Sequence, residues 1–363
     1  LIRSQDSDIH DAAGGAYAQL GRYDDAAAAL LRAEALSPSR KRMRMLAGIY
    51  AAAGRHEQAY GLYSDLLADG NDPELIAAAA GSALKAGRVA DGVALLNLLA
   101  ATDPDSSGLR QLVAETAERA GDLREALKQW SIAAELESDE GQTARLALAR
   151  IAAAAGYRTW ALEQLGRLDP AGLSAGQLIE VALLANDLAD GGAATKAAAA
   201  VLEADGARAE QYAAAGDLLL RWSAVDRGGR LPQRYTAAPS STALADVYAR
   251  WLIATGDPRK ALSVSKRALA VDPRSPLLCA TALEAGEAAG LWGPLADILT
   301  VALGEKADNP AAADALRLAW TKGYGVERAA AEMSALARLH PDSAALASAA
   351  GRALKEAGQW AAA

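Results

Sequence analysis

The chain of 363 residues is 52% apolar and 23% charged, and its formal charge of −8 is spread along its length. That length suits two or three globular domains, yet there is no phenylalanine, aromatics make up only 5%, and alanine dominates the apolar fraction, a composition for closely packed helices rather than a thick core. The dispersed negative charge excludes a nucleic-acid or anionic-membrane footprint, no apolar run is long enough to cross a bilayer, and the single Cys279 has no partner for an internal disulfide or a metal site.

Helix-forming runs are punctuated by glycine at a steady interval. In chain order the predicted turns fall at Gly21, Gly54, Gly87, Gly121 and Gly156, separated by 33, 33, 34 and 35 residues. They resume at Gly256, Gly290, Gly323 and Gly358, and the 100-residue gap before Gly256 has room for three more periods. Five positions after most of these glycines stands a small residue, as at Ala26, Ala59, Gly92, Ala126, Ala161 and Ala261. Proline closes the unit at Pro38, Pro104, Pro273 and Pro341.

The spacing predicts helical hairpins. A first helix ends where glycine takes the left-handed conformation, and a second helix runs back to the proline. Small residues at Gly14, Ala47, Ala80, Ala114 and Ala149 in the first helices let backbones approach, while Leu30, Tyr63, Leu96, Trp130 and Leu165 fill the gaps between pairs. One hairpin cannot bury its own apolar face, so stacking must supply the core.

Residues 7 to 40, with Gly14, Tyr17, Gly21, Tyr23, Ala26, Ala33 and Pro38, and residues 242 to 275, with Tyr248, Gly256, Ala261, Ala268 and Pro273, resemble the 34-residue tetratricopeptide (TPR) repeat. The resemblance covers most of the chain and implies an all-α, right-handed superhelical solenoid of about nine to eleven helix-turn-helix repeats. Regular repeats are expected over 1–170 and 242–363, the last one truncated. Between them, 171–241 reads as degenerate repeats, with an irregular loop near 226–241 marked by Gly228, Gly229, Pro232 and Pro239. The chain opens on LIRSQDSDIH and stops at GQWAAA just after a turn signal, so it reads as a soluble piece of something longer.

Chemistry finds little foothold. His10, His56 and His340 fall in different repeats, and no phosphate-cradling loop, HExxH or CxxC is present. His340-Pro341-Asp342 resembles the tripeptide of J-domain cochaperones but lacks a strongly basic preceding helix and coincides with a repeat-ending proline. No catalytic residue, cofactor or metal is therefore expected.

The resemblance implies a concave face lined by first helices that binds another protein or a peptide. It places Asp11, Lys41, Arg44, Glu115, Arg119, Arg150, Asp246 and Arg250 there, and Arg227, Arg230 and Arg234 in the irregular middle. Gly15, Gly48 and Gly81 stand where chaperone-binding members of the family carry clamp asparagines. The expected function is a non-catalytic scaffold for a partner protein. The Ala-rich, many-repeat character is also similar to the periplasmic repeat region of bacterial exopolysaccharide exporters of the cellulose or Pel type, which implies a periplasmic scaffold. The alternatives are a cytoplasmic adaptor or chaperone-type protein binding a short peptide, and direct polysaccharide binding, which the lack of groove aromatics disfavours.

Overall fold

A computed structural model describes residues 2–68, 70, 72–136, 139–305 and 308–359. Among them are twenty-one α-helices, two short 3-10 turns and no strand, with 81% of the chain helical. The chain divides into two compact units, residues 1–168 and 169–363.

The first unit is a stack of five hairpins: α1 (Ile2–Gln19) with α2 (Tyr23–Leu36), α3 (Arg40–Ala52) with α4 (His56–Leu67), α5 (Pro73–Lys85) with α6 (Val89–Thr102), α7 (Ser107–Arg119) with α8 (Leu123–Glu135), and α9 (Asp139–Ala154) with α10 (Arg158–Gly166). The turns have one construction. At Gly21 the amide of Arg22 donates to the Tyr17 carbonyl (2.9 Å) and that of Gly21 to the Ala18 carbonyl (3.0 Å), and the same pair of bonds recurs around Gly54. This double bond satisfies two orphan carbonyls of the first helix, and it requires the left-handed backbone seen at Gly21 (φ 70°).

Packing runs between successive helices and between first helices of adjacent repeats. Ala47, Ala59, Ala80, Ala114 and Ala126 are fully buried at the crossings, and Leu30, Tyr63, Leu96, Trp130 and Leu165 are buried between pairs. Gly14 shows why the crossings need small residues: a Cβ there would lie 2.8 Å from the Leu30 side chain.

The second unit begins with α11 (Ala175–Asp187) and α12 (Gly191–Glu203), a full hairpin where the sequence reads as degenerate. It continues with α13 (Ala209–Arg221), α14 (Leu231–Ala237), α15 (Thr242–Ala254), α16 (Pro258–Val271), α17 (Pro276–Ala289), α18 (Trp292–Glu305), α19 (Pro310–Tyr324), α20 (Val326–Leu339) and α21 (Ala344–Glu356). The turn spacing is kept through 171–241, although the sequence there reads as degenerate. The turn position passes to Ala189 (φ 54°) and Ser223 (φ 53°), both left-handed without being glycine. Each keeps the same two bonds, Asp190 to Ala185 (2.8 Å) with Ala189 to Asn186 (2.9 Å), and Ala224 to Leu219 (2.8 Å) with Ser223 to Leu220 (3.0 Å).

Two further expectations need correction. Residues 226–241 are not a continuous loop: a 3-10 turn at Val225–Gly228 and the short α14 stand in for a second helix. Pro232 lies in the first turn of α14, where proline starts a helix rather than breaking one, and Leu231 and Tyr235 are buried beneath it. Gly323, in turn, lies inside α19. A Cβ on it would come within 2.5 Å of the Trp292 side chain, and the chain turns two residues later at Gly325 (φ 93°).

Candidate functional site

Most charges expected to face a partner are engaged in joining one repeat to the next. Arg42 of α3 donates to both carboxylate oxygens of Asp11 on α1 (2.6 and 2.8 Å) and to Glu34 on α2 (3.1 Å). These hydrogen bonds hold the Asp11 carboxyl below its ordinary value and push the Arg42 guanidinium above its own. Arg44 spans to Asp72 (2.9 Å) and Glu74 (2.7 Å) of the following repeat, and Arg150 reaches Glu118 of the preceding one (3.3 Å).

In the second unit, Asp246 is 1% exposed and has no surface to offer a partner. It accepts from Arg250 (2.9 Å) and from Thr281 of α17 (2.5 Å), while Arg250 also donates to Asp217 of α13 (3.0 Å), so three successive first helices share one polar node. Burial opposes the charge of Arg250, but the two aspartates outweigh it and the guanidinium stays above its ordinary value. Arg227 donates to Thr195 (2.8 Å) and Arg230 to Glu203 (2.8 Å). Arg234 donates to the carbonyls of Leu202 (2.8 Å), Glu203 (3.0 Å) and Ala204 (3.1 Å), closing the C-terminal end of α12.

Three of the expected contact residues are exposed and, among the described residues, not engaged with a neighbouring repeat by a hydrogen bond or ion pair. Lys41 is exposed beside Arg44 at a cleft of about 270 Å³ that includes Leu66 and Leu75. Glu115 and Arg119, one turn apart on α7, are exposed and have no side-chain partner among the described residues.

The sequence reading missed a second kind of surface, the seam where second helices of adjacent repeats meet. Between α2 and α4 this seam is clasped by an ion pair from Arg55, the residue after the turn glycine, to Asp24, three positions after the previous turn glycine. Between α4 and α6 the equivalent pair is Arg88 with Glu57 (3.1 Å). Each arginine also lies over a tyrosine, Arg55 at 5.9 Å from the Tyr50 ring centre and Arg88 at 4.6 Å from that of Tyr60.

Along the rest of the chain these two positions vary, as with Ala90 and Asp122 between α6 and α8, and at two seams they pair a cation with an apolar residue. Between α8 and α10 the acid position holds Arg124 and the arginine position Tyr157, and the seam opens into a cleft of about 720 Å³ against Leu127 and Trp160. Tyr157 is 55% exposed and meets Trp160 edge-on, with ring centres 6.3 Å apart. Between α16 and α18 the same two positions hold Arg259 and Leu291. A cleft of about 440 Å³ lies there, within the roughly 300–1,000 Å³ range of ligand-binding clefts. Leu262, Leu269 and Ile298 are its buried floor, Val301 is a rim residue 69% exposed, and Arg259, Lys266 and Asp297 are its charged edges. Among the described residues no carboxylate pairs with Arg124, Arg259 or Lys266. The signal was present in the sequence: a cation three positions after one turn glycine, Arg124 or Arg259, and one period later an apolar residue directly after the next, Tyr157 or Leu291.

Among the described residues no group of three or more His, Cys, Asp and Glu could hold a metal ion, and no helix is long and apolar enough to cross a membrane.

No protein-family model matches the chain, and no curated protein does. Solved structures do match. The chain is similar to one described as Naa15/Naa10 bound to HypK-THB (TM-score 0.49, 15% identity), over 98% of this chain and 61% of that one. It is similar to YrrB, described as a TPR protein with an unusual peptide-binding site (TM-score 0.36, 13% identity, 60% of this chain and 95% of that one). It is also similar to yeast Tom70 (TM-score 0.33, 12% identity, 96% and 95%). The chain thus spans less than two thirds of the first of these. Each of its two units is an all-α stack of TPR-like helical hairpins.

Proposed function

We propose that this chain is a non-catalytic scaffold that docks another protein. The observation that carries the proposal is the open seam between α16 and α18, an apolar floor rimmed by exposed Val301 and flanked by Arg259 and Lys266. An apolar centre with a charged, arginine-bearing margin is the composition of a protein interface, and exposed apolar surface on a folded chain calls for cover. The exposed first-helix residues Lys41, Glu115 and Arg119 form a second proposed contact surface. The exopolysaccharide-export role implied by composition gains no support from the geometry or the comparisons, and the seam would serve in any compartment.

The test is site-specific photo-crosslinking in extract of the source organism. A photoreactive residue at Val301 is expected to trap one protein, and Pro294→Glu, at an exposed position of the same cleft, is expected to abolish the adduct while leaving the far-UV circular dichroism spectrum intact. If Val301 traps nothing beyond what a probe at exposed Glu287 traps, the docking reading is wrong.

A further inference from the structure

The two open seams share a combination of residues found at no other seam, a cation at the first position and a large apolar residue at the second. In the closed seams an acid of one second helix meets an arginine of the next, Asp24 with Arg55 and Glu57 with Arg88. In the open seams the first position holds Arg124 or Arg259 and the second Tyr157 or Leu291. Among the described residues neither open seam has an intramolecular clasp, and each leaves a cation without a paired anion at the edge of an apolar cleft. The combination occurs at equivalent repeat positions in both units.

The α16–α18 seam develops the pattern furthest. Within a chain of net charge −8, α16 carries Arg259, Lys260, Lys266 and Arg267 and no acid. Lys260 and Arg267 are engaged with aromatic rings, 6.0 Å from the Tyr248 centre and 5.4 Å from that of Tyr235. Arg259 and Lys266 edge the seam instead, with Ser263 between them. They are seven residues, two helical turns, apart, which places them about 10.5 Å from each other along the axis. The 14 residues of α16 give the seam a length of about 21 Å, enough for about four turns of a partner helix.

Resting on the scaffold reading, we propose that the α16–α18 seam binds an acidic amphipathic helix of a partner protein. Its leucine-type residues at i, i+3, i+7 and i+10 pack against Leu291, Pro294 and Val301, above the floor of Leu262, Leu269 and Ile298. Acidic residues seven apart on one flank restore the missing anions opposite Arg259 and Lys266, and a basic residue on the other flank meets Asp297. Charge sets the direction and register of the helix, and apolar burial holds it.

The experiment reads this seam alone. Val301→Cys is labelled with an environment-sensitive fluorophore, which is selective because Cys279 is 1% exposed. Two synthetic 14-residue helical peptides share the leucine stripe and carry either glutamate or lysine on the flanking positions. The glutamate peptide is expected to saturate the signal, to bind about tenfold more tightly than the lysine peptide, and to weaken as salt rises. In the Arg259→Glu/Lys266→Glu variant the preference is expected to invert, a result that loss of folding cannot produce. Equal binding of the two peptides, or no binding of the glutamate peptide, overturns the assigned occupant, while Val301 crosslinking reports separately on whether a protein docks there. Dimerisation in sedimentation that Val301→Glu abolishes would also overturn it, by showing that a second copy fills the seam.

Discussion

Replacing Arg42 with methionine tests whether the charges between first helices hold the repeats together. Methionine keeps most of the aliphatic packing and removes the guanidinium, which makes two hydrogen bonds to Asp11 and others to Glu34 and the Ser37 carbonyl while its side chain is only 6% exposed. Breaking a buried ion pair by removing one partner costs about 3–5 kcal/mol. The carboxylates left behind are not sealed in, since Asp11 is 33% and Glu34 22% exposed, so water recovers part of the loss. The expected cost is therefore about 3 kcal/mol, at the lower end of that range. A double-mutant cycle with Asp11→Asn is expected to show a coupling of about 2 kcal/mol at neutral pH. The sign of its pH dependence follows from Asp11, whose carboxyl is held below 3.8 chiefly by the Arg42 hydrogen bonds. The unfolded chain takes up that proton at higher pH than the folded one, so the contribution is complete above about pH 4 and disappears as the pH falls through the lowered folded value. Because repeat arrays do not unfold as one unit, urea titration by circular dichroism should be paired with hydrogen exchange in α1 to α3. A coupling under about 0.5 kcal/mol at pH 7, or one that survives unchanged at about pH 2, would refute the reasoning.

Other outcomes follow from the same geometry. Ala189→Gly and Ser223→Gly relieve a left-handed backbone that costs a non-glycine residue about 1–2 kcal/mol, partly offset by the greater freedom of glycine in the unfolded chain. Each is expected to stabilise the second unit by up to about 1 kcal/mol, read as a higher urea midpoint. Asp246→Ala strands the Thr281 hydroxyl and one side of Arg250, which keeps Asp217, and is expected to cost about 2 kcal/mol with faster exchange in α13, α15 and α17. Charge reversal at Glu115 and Arg119 should change stability by no more than about 0.5 kcal/mol, so any loss of partner binding there is a surface effect. The Cys279 thiol, buried and pushed up to about 11, is expected to react with a thiol reagent only as fast as α17 opens, which hydrogen exchange can measure independently.

How much of this was readable beforehand depends on whether a residue acts through its backbone or through its neighbours. Gly21 and Gly54 announce their turns because the left-handed backbone favours glycine on local grounds, and the period of the whole array follows from them. Ala189 and Ser223 hide theirs, since the bonds that hold them in that conformation come from the preceding helix. Pro232 misled for a related reason: the residue is the same whether it ends a helix or begins one, and the buried Leu231 and Tyr235 decide. Gly323 misled because close approach to Trp292 needs glycine as much as a turn does.

The same division runs through the surface. The sequence by itself determined that the chain is a stack of helical hairpins, because repeat length, turn glycines and small crossing residues are local properties that recur. Only the tertiary structure decided which charges were available to a partner. An aspartate such as Asp11 or Asp246 reads as a surface contact until an arginine about one repeat away, or four residues away, is brought within 3 Å of it. An arginine such as Arg259 is available because the position one period later, where Arg55 and Arg88 clasp the first two seams, is occupied by uncharged Leu291. Pairing is a relation between side chains distant in sequence, and stacking is what brings them within reach of each other.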